Sequence, residues 1–336
     1  MRRRFFTVLA LAFAAAGAAA AAIGVDAGGG YLAVWGGEVA SEAGAVRTLG
    51  PFEFAFVSDG GAAFAVASLV EGAMPLKSAV RVYERSGRLL WAVADTAATS
   101  AYVADSGAAA LVTMVGDGPS ATARLDFYSA AGARTGGAEV GSPLVAAFFP
   151  GEDRLALTAL GGPTTVYDVA AGVEKYELPA ARTAAAGPEG RVLLVDRDWM
   201  ALYRNGAELW RVRHDFYFPR LVSIDDAGTR AVIGGHHEVA LVSLADGRVE
   251  RRWEAPGDFA VTDLAAAADF SSFAVGMRTL AGAEAAVWLD AGFNVVKREE
   301  RNVAQPSGSS PAVAVLGGTP RRVVALGQGW RTTLAR

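Results

Sequence analysis

Between Phe54 and Trp91 the chain alternates short apolar runs with turns: FAFVSDGGAAFAVAS, a break, then SAVRVYERSGRLLW. The turns Ser58-Asp59-Gly60-Gly61 and Ser86-Gly87 cut these runs into strand-length pieces, which read as a four-stranded antiparallel meander. A lone sheet of this kind leaves an apolar face in water, so it needs similar sheets stacked against it. The chain supplies them. Comparable turns recur around positions 105, 150, 188, 226, 268 and 318, at steps of 38 to 50 residues. Each is followed by an apolar run, such as Ala110 to Met114 or Val192 to Val195, and in six of the seven units by a second hairpin such as MALYRNGAELWRV. The seventh unit has only one further strand, Trp330 to Leu334, and lacks its outermost one.

Apolar residues come in runs of four to six broken by Gly, not at the i, i+3, i+4, i+7 spacing of a helix. Seven meanders with a period near forty predict an all-β, seven-bladed β-propeller. Asp26-Ala27-Gly28 before YLAVW forms a weak eighth anchor, so eight blades stay open. The strands Tyr31 to Trp35 and Ala45 to Leu49 precede the first full unit. One of them is expected to pair with the C-terminal blade, closing the ring and covering an exposed edge.

The N-terminus bears on the compartment. Arg2-Arg3-Arg4 precedes an apolar run from Phe5 to Ala22 that ends in Ala20-Ala21-Ala22, an Ala-x-Ala cleavage signal. Residues 1–22 therefore read as a secretory signal peptide, with one propeller domain over 23–336 and a periplasmic or secreted product. An uncleaved membrane anchor is the alternative, since about 18 apolar residues can span a bilayer. Arg2-Arg3 also resembles a twin-arginine export signal, although the n-region is very short.

Composition excludes several classes. With 52% apolar residues the chain is not disordered, and its 40 glycines suit a fold of many tight turns. A net charge of -4 gives no basic field for nucleic acid. The absence of Cys removes disulfides, thiolate metal sites, a Cys nucleophile and a lipid-bearing Cys.

The units resemble the repeats of WD40-like, YVTN-like and quinoprotein-like bacterial propellers over nearly all of the mature chain. The resemblance is carried by Ser86-Gly87-x-x-x-Trp91, Asn205-Gly206-x-x-x-Trp210 and, with Tyr in place of Trp, the Gly172 to Tyr176 segment. These look like the docking motif that locks quinoprotein-like blades together, which implies that Trp91 and Trp210 pack between blades. The pattern departs where chemistry would be needed. Pyrroloquinoline-quinone dehydrogenases are much longer and many carry a vicinal Cys pair, and the Trp-Asp dipeptide of true WD40 repeats is absent here. By layout the nearest functional relatives are the outer-membrane assembly propellers of the quinoprotein-like type.

Few residues carry chemistry. The only histidines are His214, His236 and His237. Neighbouring side chains on an extended segment point to opposite sides, so His236 and His237 make a poor metal pair. Asp196-Arg197-Asp198 and Asp225-Asp226 read first as turn residues whose carboxylates bond local backbone. No G-x-S-x-G, Walker, H-E-x-x-H or dinucleotide motif occurs in a fitting context. No cofactor, metal site or catalytic residue is therefore assigned.

The most suggestive run is His214-Asp215-Phe216-Tyr217-Phe218-Pro219-Arg220, which joins the fourth unit to the fifth. In a propeller such links share one face with the loops between second and third strands. Arg182, Phe218, Arg220, His236, His237, Phe259 and Trp330 are accordingly the candidate partner-binding residues on that face. Arginines beside aromatics favour an anionic or extended peptide-like ligand. The expectation is a non-catalytic binding or scaffold propeller for an envelope protein or peptide partner. The alternative is a propeller enzyme, a hydrolase, lyase or quinoprotein-like oxidoreductase, with its site at the channel mouth.

Overall fold

A computed structural model describes residues 22–25, 30–35, 37–70, 77–116, 122–302, 311–316, 321–327 and 330–335. Their regular structure is almost wholly β: the strands form eight antiparallel sheets, each a meander in chain order. The sheets cover residues 22–48, 53–96, 100–141, 143–178, 183–213, 221–254, 260–302 and 312–335. Each innermost strand leads its sheet, and the first sheet packs against both the second and the eighth. This is an eight-bladed β-propeller. Relative to a count of seven, the added blade is the first, so the unit numbers above each rise by one. Residues 1–21, the weak anchor at 26–28 and the last anchor near 318 lie outside the described residues.

Burial explains why the strands read as unbroken apolar runs. Each blade is sandwiched between two others, so both faces of a strand are covered and alternation of polar and apolar residues is lost. In the second strand of blade two, Ala63–Leu69, Phe64 and Val66 face blade one while Ala63, Ala65 and Ala67 face blade three. In blade six, Val239 and Leu241 face blade seven, and Ala240 and Val242 face blade five. The apolar core is accordingly eight wedges, one for each junction between blades.

A repeated socket sets the distance between blades. The turn before an outermost strand carries a glycine in the left-handed region: Gly87, Gly132, Gly172, Gly206 and Gly247, with φ between 72° and 88°. Against each rests an outer-strand residue of the preceding blade. Trp91 covers Gly132, Tyr176 covers Gly206, Trp210 covers Gly247, and Val46 covers Gly87. A Cβ on Gly132 would lie 2.5 Å from the Trp91 Cβ, so both the conformation and the close approach require glycine. The two indoles also donate hydrogen bonds forward, Trp91 Nε1 to Gly107 O at 2.9 Å and Trp210 Nε1 to Leu244 O at 2.8 Å. Trp91 is buried and stacks on Tyr128, with ring centroids 5.3 Å apart; Trp210 is half-buried.

The ring meets itself differently from the pairing expected for Tyr31 to Trp35 or Ala45 to Leu49. Tyr31–Trp35 pairs with Ala22–Val25 on one side and Glu38–Ser41 on the other, and Gly44–Thr48 is the outermost strand of the same sheet. The backbone groups of Tyr31–Trp35 are thus satisfied within blade one, and blade eight shows three strands among the described residues. Blades eight and one instead meet face to face. Tyr31 and Ala33 pack on Ala314, Leu316, Val324 and Leu326. Trp35 Nε1 donates to Gly327 O at 3.0 Å, and Arg331 donates to the Tyr31 hydroxyl. Blade one escaped the period of forty because its hairpins are short, so the whole blade takes only residues 22–48.

Two outcomes follow for stability. Trp91→Ala should cost about 3 to 5 kcal/mol in denaturant unfolding, as for other large buried aromatics, Trp210→Ala less, and Gly132→Ala about 1 kcal/mol or more through its left-handed φ and the clash with Trp91. Deleting residues 23–50 removes blade one and bares the apolar faces of blades two and eight. Light scattering should then show aggregation, and a monomer with unchanged melting temperature would contradict this packing.

Candidate functional site

The link from blade five to blade six, residues 214–220, is built around two buried anchors, Phe216 and Pro219. Between them Tyr217 and Phe218 stand in solvent, 68% and 51% exposed. Phe218 has φ of 57°. Pro219 already bars the right-handed helical region to the residue before it, and the left-handed region is strained for a bulky side chain, at about 1 to 3 kcal/mol.

The surroundings hold this tip in place. His214 Nε2 lies 3.1 Å from both Asp196 O and Trp199 O, and the Phe216 N–H donates to His214 Nδ1 at 3.1 Å. An imidazole that donates from Nε2 and accepts at Nδ1 is neutral. Burial correspondingly pushes the His214 pKa down, against the pull of those two carbonyls. The Tyr217 N–H donates to Glu238 Oε1 at 2.8 Å, and its carbonyl accepts the His236 N–H at 2.8 Å. Glu238 is buried and pairs with Arg252 at 3.3 Å, which also holds Asp215.

Two cations line the tip. The Arg182 guanidinium, from the start of blade five, sits 4.1 Å from the centre of the Phe218 ring. Arg220 donates through Nη2 to Val261 O on the innermost strand of blade seven, and burial pulls its pKa below the usual arginine value. Neither arginine forms an ion pair among the described residues, and both Nε atoms are buried without a hydrogen-bond partner. The Val261 N–H donates to His236 O at 2.8 Å, so Arg220 and the His236 loop converge on one residue. His236 is half-buried, its ring 4.2 Å from that of His237 and 5.9 Å from that of Tyr217. Burial, then His237 and Arg220, lower its pKa. His237 is exposed, and its Nδ1 donates to Phe259 O at 2.7 Å.

Arg182, Phe218, Arg220, His236 and His237 are therefore brought together at the junction of blades five, six and seven. The other two candidates are not at this surface. Phe259 is 6% exposed, a wedge in the core between blades six and seven with Arg298 over its ring, and only its carbonyl reaches the site. Trp330 is half-buried and donates from Nε1 to the buried Glu284 at 2.6 Å, a strut between blades eight and seven. Tyr217, absent from the candidate set, is the most exposed aromatic of the link. Its signal was its place next to an apolar residue in an extended run, where neighbouring side chains take opposite sides.

The face around the site is distinctive. Among the described residues, six of thirteen exposed large apolar side chains lie on the inter-blade links or the loops between second and third strands, including Phe52, Leu160 and Leu280, and three more, Met114, Val115 and Leu144, lie at the strand ends that adjoin them. The other four are on outermost strands. This face therefore offers apolar surface for a partner to bury. Also among the described residues, no group of three His, Asp or Glu side chains is arranged to hold a metal ion.

No family model and no curated protein matches the sequence. Solved structures do. Sqt1 of Saccharomyces cerevisiae aligns with a TM-score of 0.60 at 13% identity, over 95% of this chain and 96% of that one. Hsv2 of Kluyveromyces lactis gives 0.59 at 9%, over 84% and 96%. The Swd1 β-propeller domain of Myceliophteria thermophila gives 0.56 at 10%, over 84% and 98%. What they share with this chain is the fold, a WD40-like β-propeller.

Because the fold holds His214 neutral, its contribution is fully present above the unfolded pKa near 6.5 and is lost as pH falls through the lower folded value. The stability advantage of wild type over His214→Gln should therefore shrink between pH 6.5 and 5 in denaturant titrations. An advantage that stayed constant would show that the imidazole is not held neutral.

Proposed function

We propose that this chain is an exported binding propeller that captures a protein or peptide partner in the cell envelope, without turnover. The observation that carries the reading is the exposed Tyr217-Phe218 tip, held on buried anchors beside two arginines that lack carboxylate partners. A strained aromatic at a rigid junction is a device for presentation, since its backbone cost is met only because the surroundings fix it. Unpaired guanidiniums next to aromatics suit an acidic or extended segment, by charge-assisted hydrogen bonds and stacking. Exposed apolar side chains on the same face offer a partner further area to bury.

Export is supported by the basic start and apolar run of residues 1–22, and the absence of Cys suits a compartment where free thiols oxidise. A kinship to the quinoprotein-like propellers of the bacterial envelope is supported by the glycine sockets filled by Trp91, Tyr176 and Trp210.

The test is the double variant Arg182→Ala, Arg220→Ala, assayed for folding by thermal melting and for capture of envelope proteins. Loss of the charge-assisted contacts should weaken capture by about tenfold or more, given about 1.5 to 3 kcal/mol for such a bond, while the fold persists. Unchanged capture by a folded double variant would remove this surface from the function.

A further inference from the structure

The three histidines differ in one respect that bears on what the site binds. His214 is committed through both ring nitrogens and His237 through Nδ1, all to backbone groups. The His236 ring makes no hydrogen bond among the described residues, and it is half-buried between the rings of Tyr217 and His237.

The charges that act on it most, those of His237 and Arg220, disfavour a proton. From the link, Arg220 and the Tyr217 ring face it; from its own loop, His237 does. The nearby carboxylate, Glu238, is engaged by the Tyr217 N–H and by Arg252. Arg182 lies over the ring of Phe218, the residue that follows Tyr217. The site thus holds two arginines that form no ion pair among the described residues and an imidazole whose ring nitrogens are not committed there. An oxyanion arriving here would satisfy the arginines and turn the field at the imidazole from repulsive to attractive.

We propose that the site takes an oxyanion of its ligand, a carboxylate or a phosphate, beside Arg220 and His236, and that capture is coupled to uptake of one proton by the His236 ring. The proposal rests on the anionic-ligand reading above and adds which residue senses pH and in which direction. The proton comes from solvent and is released when the anion leaves, so affinity rises as pH falls. An exported protein would then hold its partner more tightly in an acidified envelope and release it toward neutrality.

The experiment uses the mature chain and a fluorescent octaglutamate peptide, with octaglutamine as the uncharged control, from pH 5.5 to 8 at constant ionic strength. The glutamates stay ionised across this range, since their usual pKa is about 4.3. Wild type should bind octaglutamate about tenfold more tightly at pH 5.5 than at 7.5, the linkage expected for a shift of one pKa unit. His236→Gln should flatten the profile to less than about twofold, and calorimetry in two buffers of different ionisation enthalpy should show proton uptake by wild type only. Competition by inorganic phosphate against acetate tells which oxyanion the site prefers. Octaglutamate binding that is independent of pH, or a slope that survives His236→Gln, overturns the proton coupling while the anion-binding reading stands. Equal binding of octaglutamine, or no binding by folded protein at any pH, overturns both.

Discussion

The contact on which the spacing of this ring depends is a close approach to a turn glycine, made by an aromatic ring at three of the blade junctions. A sheet does not by itself set a single distance to the next sheet, because its faces carry varied combinations of Ala, Val and Leu. A backbone atom without a side chain can, since an indole resting on it has a fixed thickness and nowhere to move. Each such glycine sits at the tip of a turn that itself demands a left-handed residue. One position thus satisfies the hairpin and receives the neighbour. The following socket is filled from the same outer strand, four residues later: Gly87 leads to Trp91, Gly172 to Tyr176, Gly206 to Trp210. Local turn chemistry and long-range packing are therefore written in the same five residues.

That coupling is also why much of the architecture is legible. Turns of Asp, Ser and Gly between apolar runs give the meanders, and the Gly-to-Trp spacing gives the direction in which blades dock. The limits have physical causes. In blade three the knob position is Gly136, so two backbones meet directly and no aromatic marks the contact. In blade one the strands are only four or five residues long, so the whole blade falls short of the period and reads as strands that precede the first full unit. Closure was expected to follow the shared-strand rule, whereas here the residues that meet across blades eight and one are side chains drawn from well-paired strands.

The candidate site was legible as a run of unusual residues, but its membership depended on a detail of chain direction. Between Phe216 and Pro219 the link turns two aromatics outward, whereas at Phe259 the next link turns its aromatic inward. Both links carry an Asp, a Phe and a Pro, but in a different order. What separates them is Pro219, which forces Phe218 out of the helical region and, with Glu238 and His236 holding Tyr217, leaves the tip no inward path. Trp330 shows the same limitation from the other side, because its indole found a buried carboxylate that no local pattern announces.

The interface between blades eight and one joins residues 292 positions apart, as in the bond from Trp35 to Gly327, and among the described residues no strand is exchanged there. Every other junction can assemble as the chain lengthens, each blade settling on the one before it. This one must wait for the last strand, and the loop-closure entropy it overcomes is paid in one step, though it grows only slowly with length. Such a seam is where slow amide exchange should first give way, because opening it breaks side-chain contacts and leaves every sheet whole. It also frees the ring in evolution. A blade could be duplicated or lost without rewriting a sheet built from both ends of the chain, as long as the two faces at the seam still matched.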